Sequence, residues 1–192
     1  MVSLRKGEGI SLAKTSPGLR RVRIGLGWDV ARKGGLFGRF MASEDIDLDA
    51  SCLMFDAAGT LADTVWFRQL ASRDGSILHT GDNLTGAGDG DDEVIRVDLE
   101  QVPAAVATLV FTVSSFRGQT FANIANAFCR AVDEAGGREL ARFDLSGGGG
   151  SHTAQIMAKL HRHGGEWTFT ALGLPSNGRT FHDMMPDIIR QL

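Results

Sequence analysis

Several features that define large classes of proteins are scarce or missing in this chain. It has 192 residues but only two cysteines, Cys52 and Cys129, which is too few for a disulfide scaffold. Both lie among apolar neighbours, so we expect buried free thiols, as in a reducing compartment. No segment approaches the roughly 20 apolar residues of a membrane span, and residues 1–9 contain no apolar core of a secretory signal. These absences predict a cytoplasmic protein that does not span a membrane.

Motifs of several enzyme and nucleic-acid-binding classes are also missing. No Gly-Lys-Ser or Gly-Lys-Thr step of a phosphate-binding loop occurs, and Gly25 and Gly27 lack the third glycine of a dinucleotide-binding turn. Ser51 has no base at a spacing that indicates a catalytic triad. The net charge is −3. The isoelectric point near 5.9 disfavours a nucleic-acid partner, because proteins that read nucleic acids are usually basic.

Lys and Arg are absent between Asp74 and Arg96, and acidic residues are concentrated in that segment. Residues 82–93, Asp-Asn-Leu-Thr-Gly-Ala-Gly-Asp-Gly-Asp-Asp-Glu, hold five carboxylates and one side-chain amide. Two like charges about 4 Å apart repel by roughly 4 kcal/mol at an effective dielectric constant of about 20. A folded loop with this composition therefore requires either a cation or open water around it.

Oxygen ligands in this number, without sulfur, suit Ca²⁺, and Mg²⁺ is the rival ion. Glycines within the run allow the backbone to fold tightly around such an ion. A second acidic cluster, residues 45–49, places Asp45, Asp47 and Asp49 on one face of a strand. One end of a sandwich, where loops meet, would bring both clusters together with Asp29. The alternative is an acidic turn exposed to solvent, which is the usual form of a charge run.

Strand patterns dominate the rest of the chain. Residues 22–28 alternate between large apolar residues and arginine or glycine, which is typical of a half-buried strand. Residues 48–55 are apolar on both faces, as in a strand buried on both sides. The pair Gly164-Gly165 separates two further strand patterns and predicts a hairpin.

Helix patterns are few. Apolar residues at 121, 124, 128 and 132 predict a helix that ends at the glycines 136–137, and residues 181–192 predict a terminal helix that Pro186 breaks. Many short strands with glycine turns favour a mainly β fold, an antiparallel sandwich or barrel with a few short helices. The length favours a single domain over residues 1–192.

Three segments carry a resemblance to a known family. Gly25-Leu-Gly-Trp-Asp29, Asp47-Leu-Asp-Ala-Ser-Cys52 and the run of residues 81–93 resemble the TerD family of tellurium-resistance and stress proteins. The resemblance extends over nearly the whole chain. It implies a calcium-binding, antiparallel two-sheet β-sandwich with a few short helices. The ligands that it implies are Asp29, Asp47, Asp49, Asp82, Asn83, Asp89, Asp91, Asp92 and Glu93.

The resemblance also implies a function, and the residues leave two alternatives to it. The family function is that of a non-catalytic Ca²⁺-binding module in bacterial tellurite resistance and stress response. It acts as a scaffold with other tellurium-resistance and stress proteins, some of them with a membrane-bound partner at the inner face. One alternative is a metal-dependent hydrolase or phosphotransferase that uses the acidic cluster to hold two ions. Another is an interaction domain whose acidic loop meets basic partners without metal.

Overall fold

The computed structural model describes residues 1–30, 47–80, 90–145 and 150–192, and most of its regular secondary structure is strand. In chain order the strands are β1 (Val2–Leu4), β2 (Gly9–Ser11), β3 (Arg21–Val30), β4 (Leu48–Asp56), β5 (Leu61–Val65), β6 (Ile77–His79), β7 (Glu93–Asp98), β8 (Val106–Ser115), β9 (Ile124–Asp133), β10 (Glu139–Asp144), β11 (Ala154–His163) and β12 (Glu166–Ser176). The helices are α1 (Leu12–Thr15), a 3-10 turn (Phe121–Asn123) and α2 (Phe181–Ile189). No helix within these ranges is long and apolar enough to cross a membrane.

The strands form two six-stranded sheets that enclose one main core. Sheet I has the order β1-β10-β9-β3-β7-β6, and sheet II has the order β2-β12-β11-β8-β4-β5. All neighbours pair antiparallel except β1 with β10, which are parallel. Leu26 of sheet I and Met54 of sheet II belong to the same buried cluster. The predicted mainly β, two-sheet sandwich is therefore confirmed, whereas the single domain over residues 1–192 stays a prediction.

Strand β4 shows why its sequence is apolar on both faces. Ala50, Cys52 and Met54 lie in the main core between the sheets. Leu53 and Phe55 lie on the outer face of sheet II, in a second buried cluster that includes residues of α2. A strand covered on both sides has no polar alternation, as the sequence indicated.

The terminal helix α2 covers that outer face. A capping box between Thr180 and Asp183 begins the helix, and Phe181, Met184 and Ile188 are its buried residues. Pro186 lies inside the helix without ending it, so the predicted break is wrong. Burial of the apolar face offsets the one backbone hydrogen bond that proline cannot donate.

The helix predicted from residues 121–132 is also wrong beyond its first turn, because residues 124–133 form β9. Residues 27–29 of β3 pair with residues 125–128 of β9, so β9 contains one extra residue, which is a β-bulge. Asn126 lies in the bulge with φ of 51°. The bulge shifts the inward-facing side chains by one position, so Ile124 and Ala127, three residues apart, are both buried. That spacing imitates a helical period.

Two smaller predictions are confirmed. The hairpin between β11 and β12 pairs His163 with Glu166, and Gly164 and Gly165 have positive φ, as a tight hairpin turn requires. Cys52 and Cys129 are free and buried. Burial, with the negative charge of Asp91 adding to it, raises the pKa of the Cys129 thiol to about 12. These thiols therefore stay protonated and unreactive.

The strand ends divide the sandwich into two chemically different ends. Leu26 pairs with Glu93 and Leu48 pairs with Ser115, so β3 and β8 end where β4 and β7 begin. We name this the acidic end, and its described candidate ligands are Asp29, Asp47, Asp49, Asp91, Asp92 and Glu93. The opposite end, the hairpin end, consists of α1, residues 99–102 and the β11–β12 turn at residues 163–166.

Candidate metal site at the acidic end

The structure brings six of the predicted ligands to one end of the sandwich. Asp29 lies near the end of β3, Asp47 and Asp49 lie at the start of β4, and Asp91, Asp92 and Glu93 lead into β7. The other three, Asp82, Asn83 and Asp89, belong to residues 81–89 and lie outside the described residues. The six do not share one environment, and their contacts divide them into groups.

Asp92 lies beside the end of β3 in a field of negative charge. Its backbone N–H donates to the Leu26 carbonyl, and the Trp28 N–H donates to its Oδ2, each at 2.8 Å. Burial raises the pKa of Asp92, and the charges of Asp29 and Asp91 raise it further, against the Trp28 N–H, which lowers it. Burial is the largest of these causes, and the two charges that act on the pKa of Asp92, those of Asp29 and Asp91, are both negative. A bound cation would counteract these charges.

Asp29 is exposed and is held by a residue that the sequence patterns did not single out. Asn126 Nδ2 donates to Asp29 Oδ2 at 2.8 Å. Asn126 reaches this position because the β9 bulge places it opposite the end of β3. No sequence motif predicts this contact, because it depends on the bulge in β9. The pair adds an amide to the oxygen-rich groups beside Asp92.

Asp91 is turned to the outer face of sheet I, where two arginines neutralise it. Arg130 Nε lies 2.6 Å from Asp91 Oδ1, and Arg23 Nε lies 3.7 Å from Oδ2. The Asp91 side chain is 5% exposed. It rests on Gly25, where a Cβ atom would lie 2.3 Å from the Asp91 Cγ. A larger residue at position 25 would displace the carboxylate, so the glycine forms part of its seat.

Glu93 points between the two sheets. Its Oε2 accepts a hydrogen bond from the Ala50 N–H at 2.5 Å, and His79 Nε2 lies 3.6 Å from the same atom. Both side chains are 1% exposed. The contact joins β7 of sheet I to β4 of sheet II directly beneath the acidic end. It ties the two sheets together at the place where the loops leave them.

Asp47 and Asp49 are buried at the start of β4. Asp47 Oδ2 lies 3.5 Å from Arg117 Nε, so an arginine also partly balances this carboxylate. Asp49 lies one residue before Ala50, whose N–H binds Glu93. The second acidic cluster is therefore next to the first one, as expected from the sandwich end. Asp45, its remaining member, lies outside the described residues.

The described residues do not by themselves complete a metal site. Within the four described ranges, no group of three or more His, Cys, Asp or Glu side chains has an arrangement that could hold an ion. Their donors are nevertheless of the right kind, since carboxylate and amide oxygens suit Ca²⁺. Asp29 and Asp92 fit such an ion best, because the negative charge of Asp29 acts on Asp92 at the end of β3. The run at 81–89 would have to supply the remaining oxygens.

Comparisons with known proteins agree with the fold and with the motifs. The family model described as the TerD domain matches residues 1–186. The chain is 52% identical over 190 residues to the tellurium resistance protein TerZ of Serratia marcescens, covering 98% of this chain and 97% of that protein. It is 43% identical over 179 residues to general stress protein 16U of Bacillus subtilis (strain 168), covering 90% and 89%. It is 41% identical over 180 residues to the tellurium resistance protein TerD of Alcaligenes sp, covering 90% of each.

Two solved structures share the architecture. The crystal structure of SAV2460, a protein of unknown function, matches with a TM-score of 0.69 and 30% identity over 88% of this chain and 97% of that one. The structure of SCO6318 from Streptomyces coelicolor A3(2), described as a homologue of telluride resistance protein (TerD), matches with a TM-score of 0.68 over 88% and 98%. Its 24% identity supports the fold alone.

Proposed function

The chain belongs to the TerD domain family of tellurium-resistance and stress-response proteins, and from this membership we propose that it is a non-catalytic, Ca²⁺-binding scaffold module. The ion would bind at the acidic end, and the bound form would assemble with other tellurium-resistance and stress proteins in the cytoplasm. Some of these partners would be membrane-bound at the inner face.

The meeting of Asp29 and Asp92 supports the calcium proposal most directly. These carboxylates come from strands that are far apart in the sequence, and their charges act on each other at the acidic end. Residues 81–89 connect β6 and β7 at the same end and contain the proposed ligands Asp82, Asn83 and Asp89. A hard divalent cation with oxygen ligands would neutralise the excess charge.

The other predicted ligands have one of two proposed roles. Some would bind a second ion, and the others would hold the strands and sheets around the site in place. Asp47 and Asp49 remain proposed ligands at the start of β4. For Asp91 and Glu93 the contacts favour a framework role, because Asp91 is paired with two arginines and Glu93 bridges the sheets. When bound, Ca²⁺ would supply positive charge that joins the loops of both sheets, and these two residues would hold the frame on which it rests.

Thermal unfolding with calcium and with a chelator tests the proposal. At a hundredfold excess over the dissociation constant, a ligand that binds only the folded state adds about 2.7 kcal/mol to the free energy of unfolding. For a chain of this size, that corresponds to a rise in Tm on the order of 5–10 °C. Isothermal titration with Ca²⁺ and with Mg²⁺ gives the identity and number of ions. An unchanged Tm together with no heat of binding would overturn the calcium proposal.

The proposed absence of catalysis has a separate test. The relatives carry the names of resistance and stress proteins, not of enzymes. A hydrolase or phosphotransferase would require a cation to hold the phosphate, and the two arginines beside Asp91 are paired with that carboxylate. Turnover of phosphoesters that is lost in Asp92→Asn would favour the enzyme instead.

Co-purification tests the scaffold role. The protein and its Asp92→Asn variant are recovered from cells lysed with calcium or with chelator. We expect the stress proteins retained by the wild-type chain in calcium to be lost in chelator and with the variant. Equal retention under all conditions would separate partner binding from the ion and favour the interaction domain that needs no metal.

A further inference from the structure

A cavity of about 250 Å³ opens at the hairpin end, opposite the acidic end. The apolar part of its wall includes Leu12 of α1, Leu19 of the loop that follows it and Leu99, which comes directly after β7. Arg162 and Trp167, from the two strands of the β11–β12 hairpin, complete it. Its volume lies just below the usual range of small-molecule pockets, which is about 300–1,000 Å³.

Arg162 is the unusual residue of this cavity. Its guanidinium lies over the Trp167 ring, 4.5 Å from the ring centroid, and its Nη2 donates to the Val102 carbonyl at 2.9 Å. Its Nε is buried and has no hydrogen-bond partner among the described residues. None of the ion pairs found within the described ranges involves Arg162. Burial lowers the pKa of this guanidinium, as expected for a partly desolvated cation.

A desolvated cation with an N–H group that makes no hydrogen bond destabilises the folded state unless an anion or a water molecule binds to it. Two other described arginines of intermediate exposure, Arg23 and Arg130, have a carboxylate beside them, Asp91. A third, Arg142, lies over the Phe128 ring and does not line this cavity. From this contrast we infer that the cavity is a binding site for a small organic monocarboxylate, which Arg162 holds by its guanidinium while the apolar tail lies against Leu12, Leu19 and Trp167. The site is independent of the calcium proposal.

The rim of the cavity explains the preference for a single negative charge. Glu100 and Glu166 also line it, and both are exposed. Arg20 Nε lies 3.2 Å from Glu100 Oε1, which balances one of them. Glu166 adds negative charge at the mouth, and this charge repels a multiply charged anion such as phosphate more strongly than a monocarboxylate. The apolar part of the wall favours a ligand with a hydrocarbon part over a small hydrated ion.

Phenylacetate is a suitable probe, because its neutral isostere phenylacetamide has nearly the same shape. We expect isothermal titration in chelator to show saturable binding of phenylacetate at one site per chain. Phenylacetamide should bind about tenfold more weakly, because it offers a neutral acceptor where the carboxylate makes a charge-assisted pair. Inorganic phosphate should not compete at equal concentration.

Two variants separate recognition by Arg162 from a general effect of charge. Arg162→Gln should lose the difference between phenylacetate and phenylacetamide. Lys14→Gln is the matched control, since it removes an exposed positive charge of α1 at the same end that does not line the cavity, and it should retain the difference. If Arg162→Gln does not fold, as judged by circular dichroism, Arg162→Lys keeps the charge and should bind phenylacetate more weakly than the wild-type chain.

Four outcomes would overturn the inference. They are the absence of saturable phenylacetate binding, equal affinity for the amide and the acid, unchanged affinity in both Arg162 variants, and competition by phosphate at equal concentration. The last would point to an inorganic anion site. None of these results depends on whether calcium binds at the acidic end.

Discussion

Asp91 and Asp92 are adjacent in the sequence and have opposite electrostatic surroundings. Asp91 lies on the outer face of sheet I between Arg23 and Arg130. Asp92 lies beside Asp29, where burial and negative charge raise its pKa. One residue along the chain therefore separates a carboxylate that stabilises the frame from one that a cation would stabilise.

Replacing each carboxylate by its amide distinguishes these roles. In chelator, we expect Asp91→Asn to lower the free energy of unfolding by about 2 kcal/mol, because two partly buried arginines lose their counterion. Asp92→Asn should leave the metal-free stability unchanged or raise it, since the amide still accepts from the Trp28 N–H and the repulsion from Asp29 is removed. Urea denaturation measures both.

Repeating the urea denaturation of both variants with Ca²⁺ tests which of the two carboxylates binds the ion. The stabilisation by Ca²⁺ should be lost in Asp92→Asn and largely retained in Asp91→Asn. If Asp91→Asn lost the calcium effect while its metal-free stability stayed normal, Asp91 would be a ligand and its framework role would be wrong.

His152 is a second residue whose surroundings predict a measurable effect. It is buried, stacks on Phe121 at 4.7 Å between ring centroids, and its Nε2 has no partner among the described residues. Burial lowers its pKa in the folded state. The unfolded chain therefore binds a proton first as the pH falls, so stability from this group is complete above about 6.5 and declines below that value.

We expect His152→Phe to reduce the loss of stability between pH 7 and pH 5, because phenylalanine keeps the ring stack and cannot be protonated. Urea midpoints at several pH values measure the slope. His163→Gln, at the exposed hairpin turn, is the control for removing a histidine. An unchanged slope in His152→Phe would contradict the assignment.

At the scale of elements, α2 and β4 show how one helix makes a two-faced strand possible. Leu53 and Phe55 would be exposed to water if α2 did not cover them. The helix brings Met184 and Ile188 against that face. Burial of a face this apolar is worth roughly 25 cal/mol for each Å² removed from water, which holds a nine-residue helix containing proline in place.

Truncating the buried face of α2 should therefore be costly. We expect Met184→Ala to lower the free energy of unfolding by about 2–4 kcal/mol, because the side chain is fully buried. Ile189→Ala is the matched control: its side chain is 53% exposed, and the change should stay within about 0.5 kcal/mol. Chemical denaturation of both variants provides the comparison. Equal losses would mean that α2 does not pack as described.

At the scale of the whole molecule, the sandwich keeps a cluster of negative charge at one end and a partly buried positive charge at the other. The acidic end gathers carboxylates from both sheets, and Glu93 joins the sheets beneath them. The hairpin end holds a single desolvated arginine over Trp167. The same strands run from one end to the other, so the fold brings each set of residues together and keeps the two sets apart.

The dependence of Tm on salt concentration should reveal the excess negative charge at the acidic end. In chelator, raising the ionic strength from 0.05 to 0.5 M shortens the Debye length from about 14 to about 4 Å and screens the repulsion between carboxylates. We expect salt to stabilise the chelated protein more than the calcium-loaded one, and Asp92→Asn to remove most of the difference. Tm values across the series measure it. Identical salt dependence with and without calcium would show that the ion does not relieve this repulsion.

The sequence by itself determined the mainly β sandwich, the two-faced strand at 48–55, the hairpin at 163–166, the buried cysteines and the family. These follow from local alternation, turn residues and motifs, which neighbouring residues encode directly. Only the tertiary structure decided that residues 124–133 form a bulged strand, that Asp91 pairs with arginines while Asp92 faces Asp29, and that Arg162 has no counterion among the described residues. The physical reason is that pairing across sheets and charge compensation depend on residues distant in sequence: Arg130 is 39 positions from Asp91, and Trp28 is 64 from Asp92.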